Sequence, residues 1–175
     1  MRDISKKLEA AAHIAIIVVA VLLSVVLVKN YLLPRKDQPD RPDAPPQISA
    51  GTHISVPDVD WARNGRTLMV VLSTNCRFCT ASASLYQQIA QEFSQRQDIK
   101  VVAIFPQSVT DAQKYLSDLG VTIDDVRQVR PDVVGVRGTP TLLLVDKTGT
   151  VQKVWTGKLP PEKESEVLAE LRRVG

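Results

Sequence analysis

Two cysteines occur in this chain, Cys76 and Cys79, and only two residues separate them. A pair so close cannot staple distant segments, so a fold held by several disulfides is excluded and the domain must stand on its apolar core. Hydrophobic residues make up 44% of the 175 and aromatics only 5%, which suffices for one ordinary domain with an aliphatic core plus accessory segments. The pair also sits at a defined joint. Residues 67–73 before it (TLMVVLS) form a continuous apolar run, the pattern of a strand buried on both faces. Residues 80–96 after it place Leu85, Ile89 and Phe93 at four-residue spacing, the stripe of an amphipathic helix. A strand is therefore expected to end, and a helix to begin, at the cysteines.

That placement has chemical consequences. A thiolate, not a thiol, attacks disulfides, and the unpaired amides and macrodipole of a helix N-terminus stabilise negative charge on sulfur. Cys76, first and more exposed, is the expected nucleophile. Cys79, one helical turn on, can reach it and resolve a mixed disulfide. Arg77 is expected to add a cation that favours the thiolate. Phe78, between the cysteines, is expected to be exposed and to meet substrate.

The remaining signals set the fold class. Residues 100–105 (KVVAIF) and 141–145 (TLLLV) read as buried strands, and residues 110–119 as a helix with Thr110 as N-cap and Gly120 past its end. Lys147, Thr148 and Gly149 form a turn before a strand over 151–155 that can pair back as a hairpin. Residues 161–173 read as a closing helix, with Pro161 in its first turn, Glu162 and Glu164 near its start, and Arg172 and Arg173 near its end. The stretch between the helix at 110–119 and the strand at 141 reads as irregular. The order β-α-β-α-irregular-β-β-α predicts an α/β domain with a mixed sheet flanked by helices, its crossovers parallel and its hairpin antiparallel. No internal repeat is present.

The N-terminal third has a different character. Residues 10–28 are apolar apart from His13 and Ser24, and extension to residue 33 adds Tyr31, Leu32 and Leu33 after Lys29 and Asn30. That length fits one transmembrane helix over 10–33, after a short tail at 1–9, with Lys29 and Tyr31 suited to the interface. The Lys-Asn-Tyr-Leu-Leu-Pro that follows Val28 offers no small-residue cleavage site, so an uncleaved anchor is expected rather than a signal peptide. Arg2, Lys6 and Lys7 precede the span and Lys29, Arg35, Lys36 and Arg41 follow it, so charge does not set its orientation. Pro34, Pro39, Pro42, Pro45 and Pro46 mark residues 34–47 as an extended linker, able at about 3.1 Å per residue to hold the domain roughly 40 Å from the bilayer. The domain proper is expected over 48–175. Residues 1–46 carry seven Lys/Arg and five Asp/Glu, and the rest of the chain fifteen and fourteen. Neither part has the basic excess of a nucleic-acid binder.

Two motifs together carry a family resemblance. Cys76-x-x-Cys79 after a strand, and Val136-Arg137-Gly138-Thr139-Pro140-Thr141 before TLLLVDKTG, about 60 residues on, resemble the thioredoxin superfamily over residues 50–175. The likeness is in particular to the membrane-anchored thioredoxin-like proteins of the bacterial envelope, including reductases of cytochrome maturation. The resemblance implies a thioredoxin fold and a cis peptide bond at Pro140. It implies that the backbone of Thr139 binds an extended substrate beside the cysteines, with Arg77 and Phe78 as further contacts. It also implies exchange of disulfides in envelope proteins, a membrane or thioredoxin-type redox partner, no organic cofactor and no metal. The location implied is the cytoplasmic membrane, crossed once, with the domain in the periplasm or outside the cell. The chain departs from the family pattern in three places. Asn75 stands where Trp is usual before the first cysteine, and Val70 and Ser82 stand where family members carry a buried acid. A distant acid such as Glu92, or water, is left to support Cys79.

The same residues admit other readings. A static disulfide closing a four-residue loop stabilises little by chain entropy. Tetrahedral zinc needs more ligands than two thiolates, and the histidines are His13 in the apolar segment and His53 near the linker, where solvation is expected. A peroxidase would show a Thr-x-x-Cys motif, which is missing. A non-catalytic binding module using the proline groove is the remaining alternative. Trp61 and Trp155 are expected to pack rather than to touch substrate.

Overall fold

The computed structural model describes residues 17–21, 23–24, 47–57, 59–93 and 95–173. Most of the proposed anchor over 10–33, with His13, and the linker up to residue 46 lie outside the described residues, as does the tail at 1–9. Residues 17–21 and 23–24 are helical and exposed, with the Ser24 hydroxyl donating to the Ala20 carbonyl at 2.8 Å. Among the described residues no helix is long and apolar enough to cross a membrane.

The domain is built on five strands: β1 (Arg66–Val71), β2 (Ile99–Phe105), β3 (Asp125–Gln128), β4 (Thr141–Val145) and β5 (Val151–Thr156). Their order across the sheet is β3-β2-β1-β4-β5. β1 runs parallel to β2, and β2 to β3, while β4 pairs antiparallel with both β1 and β5. The sheet is mixed, as the element order predicts. The stretch read as irregular contains β3, a strand of four residues on the sheet edge, and a 3-10 turn at Pro131–Val134. Its sequence, DVRQ, buries Val126 alone and so has no apolar run; pairing with β2 makes it a strand.

The helices are α1 (Trp61–Asn64), α2 (Arg77–Thr80), α3 (Ala83–Phe93), α4 (Val109–Asp118) and α5 (Pro161–Arg172). The chain crosses from β1 to β2 and on to β3 in the same direction. Right-handed crossovers then bring α3 and α4 to one face. The same face receives α5. Leu68, Val70 and Leu72 pack there with Leu85, Ile89 and Phe93 of α3, Ala112 and Leu116 of α4, and Val167, Leu168 and Leu171 of α5. On the opposite face Met69, Val71, Val102 and Ile104 meet Ile48, Ile54 and Val56 of the entering chain, with Val134 and Val136. Trp61 packs against this second cluster and Trp155 lies in the first. Because β1 is covered on both sides, it reads as an unbroken apolar run.

Two local expectations need correction. The helix over 110–119 is capped by Ser108, not Thr110: Ser108 Oγ accepts from the Asp111 N–H at 3.2 Å and donates to the Asp111 carboxylate at 2.6 Å. The Ser108 side chain thereby satisfies one donor that the first turn leaves open. The helix expected to begin at the cysteines does so, at Arg77, but it is interrupted at Ala81–Ser82 rather than continuous. There the Ser82 hydroxyl donates to the Phe78 carbonyl at 3.0 Å, the back-bonding that disturbs helices.

Candidate active site

The carboxyl end of β1 leads through Leu72–Asn75 into the cysteines. Gln107, just beyond the end of β2, holds this loop from the side. Its Nε2 donates to Ser73 Oγ at 3.0 Å and its Oε1 accepts from the Thr74 N–H at 3.3 Å. Parallel pairing of β1 with β2 brings the two strand ends together. No motif marks Gln107, and the sequence reading missed it. Its one signal is its place two residues after a buried strand.

Cys76 is the N-cap of α2, in an extended conformation with φ −99° and ψ 105°. Its Sγ accepts from the Cys79 N–H at 3.1 Å. The sulfur thus occupies the position of a capping oxygen, where the open amides of a first turn favour negative charge. Cys79, inside the turn, is fully buried, and both cysteines are free thiols. Phe78 is 45% exposed, as expected of a residue that can meet a partner. The Arg77 guanidinium stacks 4.6 Å from the centre of the Phe78 ring. The cation thus faces the ring, within cation–π range.

The antiparallel register of β1 with β4 places Thr141 opposite Val71, so residues 139–140 fall beside the cysteine loop. The Thr139–Pro140 bond is cis, as the resemblance implied. The Thr139 carbonyl lies 3.2 Å from Cys76 Sγ, close enough to accept from the thiol. Two residues 63 positions apart in sequence are thereby joined at the reacting atom.

The environments of the two sulfurs differ in sign. Burial acts to raise the Cys76 thiol, but hydrogen bonds with the Cys79 thiol, the Thr139 side chain and the backbone of Cys79 and Phe78 outweigh it. The thiol is held below its ordinary value. The bond donated to the Thr139 carbonyl favours the protonated form and works the other way. Cys79 is pushed up to about 12, first by burial and then by its hydrogen bond to Cys76, against the Ser73 backbone and the Thr139 side chain.

The two positions at which the family carries a buried acid hold none here. Val70 is core, and Ser82 is buried with its hydroxyl on the Phe78 carbonyl. Glu92 is not a substitute. It forms a two-pronged ion pair with Arg172 that holds its carboxyl below the usual range. At about 1.5 Å per residue it lies roughly 15 Å along α3 from Ser82. His53 is exposed and bridges Thr150 at the other end of the hairpin.

Comparison with known proteins follows the same outline. No curated protein matches the chain in sequence. Solved structures do match in fold. A thiol:disulfide interchange protein of the thioredoxin family from Chlorobium tepidum aligns at 16% identity and a TM-score of 0.52, covering 75% of this chain and 98% of that one. A thiol-disulfide isomerase from Corynebacterium glutamicum aligns at 15% identity and a TM-score of 0.51, covering 74% and 96%. At such identities the likeness speaks to the fold. The model of the thioredoxin-like domain matches residues 61–172, which is more than half of the sequence and contains both cysteines and Pro140, and so the chain belongs to the thioredoxin-like family.

Proposed function

We propose that this protein is a thiol-disulfide oxidoreductase that works through Cys76 and Cys79. The observation that carries the reading is the asymmetry of the pair. One sulfur is accessible and held toward the thiolate at a helix N-cap; the other is buried behind it and held as a thiol. The Cys76 thiolate attacks a substrate disulfide, forming one S–S bond and releasing one substrate thiolate. The mixed disulfide lies against the Thr139–Pro140 edge, where Phe78 offers an exposed ring. Cys79, as its thiolate, then attacks Cys76 Sγ. The Cys76–substrate bond breaks, and its electron pair leaves on the substrate sulfur, which takes up a proton. Two electrons have passed to the substrate and the enzyme holds the disulfide; the reverse sequence oxidises a dithiol.

The setting is also a proposal. A single anchor over 10–33 and the extended linker over 34–47 confine the domain near envelope proteins and a membrane or thioredoxin-type donor, which raises their effective concentration. The apolar run and the proline spacing in the sequence support this. Labelling of the intact cell with an impermeant thiol reagent places Cys76 on the outer or the cytoplasmic side.

Equilibration of the full chain with glutathione buffers tests the chemistry. A potential below about −230 mV, toward the thioredoxin end of the scale, identifies a reductase, and one near about −120 mV an oxidant. Cys76→Ser abolishes exchange and Cys79→Ser accumulates the mixed disulfide. Partner capture that survives Cys76→Ser undiminished, with no exchange by the unaltered chain, identifies a binding module instead.

A further inference from the structure

The thiol chemistry leaves one buried polar group unused. Tyr86 is 1% exposed, and no group among the described residues stands at hydrogen-bonding geometry to its hydroxyl; Ser82, the polar side chain beside it, spends its own proton on the Phe78 carbonyl. A buried hydroxyl left unpaired costs stability, so a phenylalanine would serve the core better unless the oxygen has a use. Position makes the use specific. Cys79, Ser82 and Tyr86 stand at i, i+3 and i+7, the spacing of one helical face. The backbone keeps that phase through the interruption, since the Ser82 N–H reaches the Cys79 carbonyl at 3.1 Å and the Tyr86 N–H the Ser82 carbonyl at 3.4 Å. Cys79 and Tyr86 belong to the same core cluster, and all three residues are buried. The other tyrosine near the pair, Tyr115, is already engaged: its hydroxyl lies 3.0 Å from Thr80 Oγ1 and its ring meets Phe105 edge-on.

From this arrangement we infer that the Tyr86 hydroxyl takes over the task of the missing buried acid as a hydrogen-bond donor to Cys79 while that sulfur carries charge. The inference rests on the proposed exchange reaction and concerns its second step. Tyr86 stays neutral throughout; burial, and then the neighbouring Cys79, raise its phenol above the ordinary value against the opposing pull of the Ser82 hydroxyl. It therefore accepts no proton. The proton leaves Cys79 for solvent and is balanced by the one the departing substrate thiolate takes up. The phenol dipole offsets the cost of a thiolate in an apolar site, where a charge-assisted hydrogen bond is strongest. Among the described residues, Cys76, Tyr86 and Tyr115 interact electrostatically with Cys79.

Reaction of the full, reduced chain with an aromatic disulfide reagent, dithiobis-nitrobenzoate, separates the steps. The first release of coloured thiolate measures attack by Cys76, and the second measures resolution by Cys79. Tyr86→Phe is expected to leave the first phase within twofold. It slows the second about tenfold at neutral pH and moves its pH midpoint up by about one unit. A 3-fluorotyrosine at position 86, a stronger donor of nearly the same shape, is expected to speed the second phase. It keeps the test open if the phenylalanine variant folds poorly. A second phase unchanged in rate and pH profile in the folded variants, with an equal or higher Tm for Tyr86→Phe, overturns the inference and leaves disulfide exchange standing. Absence of the first phase in the unaltered chain overturns both.

Discussion

The two faces of the sheet are sealed by different means. Three helices of ten to twelve residues close one face, over a cluster that runs from Val101 and Phe105 to Trp155 and Leu171. The other is closed by the entering chain at residues 48–56 and by the turn at Pro131–Val134. Cys79 and Tyr86 belong to the helical face. The face built from long elements thus carries the chemistry, and the one built from short segments completes the enclosure of β1. A thiolate at a helix N-terminus needs a rigid helix under it, whereas a hydrophobic seal needs only apolar side chains at the right places.

Several substitutions and one titration test this contrast. The largest effect concerns the two sulfurs. Cys76 is held below its ordinary value and Cys79 near 12. Deprotonation favours reaction, so iodoacetamide labels Cys76 with a midpoint below that of a free cysteine, while Cys79 gains reactivity only as pH rises toward 12. Lower intrinsic nucleophilicity of the more acidic thiol offsets part of the gap, leaving a rate ratio of at least ~30 at neutral pH. Mass spectrometry of peptides from the reduced chain reads both; equal labelling at pH 7 would dissolve the asymmetry on which the proposed reaction depends.

Core truncations come next. Phe93→Ala, on the helical face, is expected to cost about 3–5 kcal/mol and to disturb thiol reactivity through α3. Ile54→Ala, in the entering chain, is expected to cost about 2 kcal/mol, since a surface segment can settle into the gap, and to leave Cys76 reactivity unchanged. Urea melts of the two variants, each paired with the labelling rate, decide the matter. If Ile54→Ala shifts the Cys76 midpoint as far as Phe93→Ala does, the division of labour between the faces is wrong.

Smaller effects belong to the rim of the site. Gln107→Ala removes the bonds to Ser73 and Thr74 and is expected to lower stability by about 1 kcal/mol. Exchange should slow several-fold, because the loop that presents Cys76 loses its brace; an exchange rate equal to that of the unaltered chain rejects the bracing role. Phe78→Ala should change stability by less than about 0.5 kcal/mol, as surface positions do. It should weaken activity toward a protein disulfide more than toward a small one. A large drop in Tm with unchanged substrate preference would make Phe78 a packing residue.

Much of this was legible in the chain itself. The cysteine pair between an apolar run and a four-residue stripe marked the strand-to-helix joint, and the polarity of residues 161–173 marked the closing helix. These signals are local: a run, a period or a cap is written in residues within a turn of one another. The cis bond at Pro140 came from resemblance, since the dipeptide alone favours trans.

What only the tertiary structure decided depends on residues far apart in sequence. β3 has one buried apolar residue and becomes a strand through β2. Gln107 reaches across 33 and 34 positions to its partners, and Cys76 across 63 to Thr139. The cover over the second face comes from a stretch, 48–56, whose apolar residues have no period of their own. Tyr86 flanks the stripe of Leu85, Ile89 and Phe93, and nothing in the sequence says that its hydroxyl would be buried out of hydrogen-bonding geometry. Local sequence encodes what a residue can become with its neighbours; the unpaired atom, the bracing amide and the meeting of sulfur with a distant carbonyl exist only once the sheet has brought separate strand ends together.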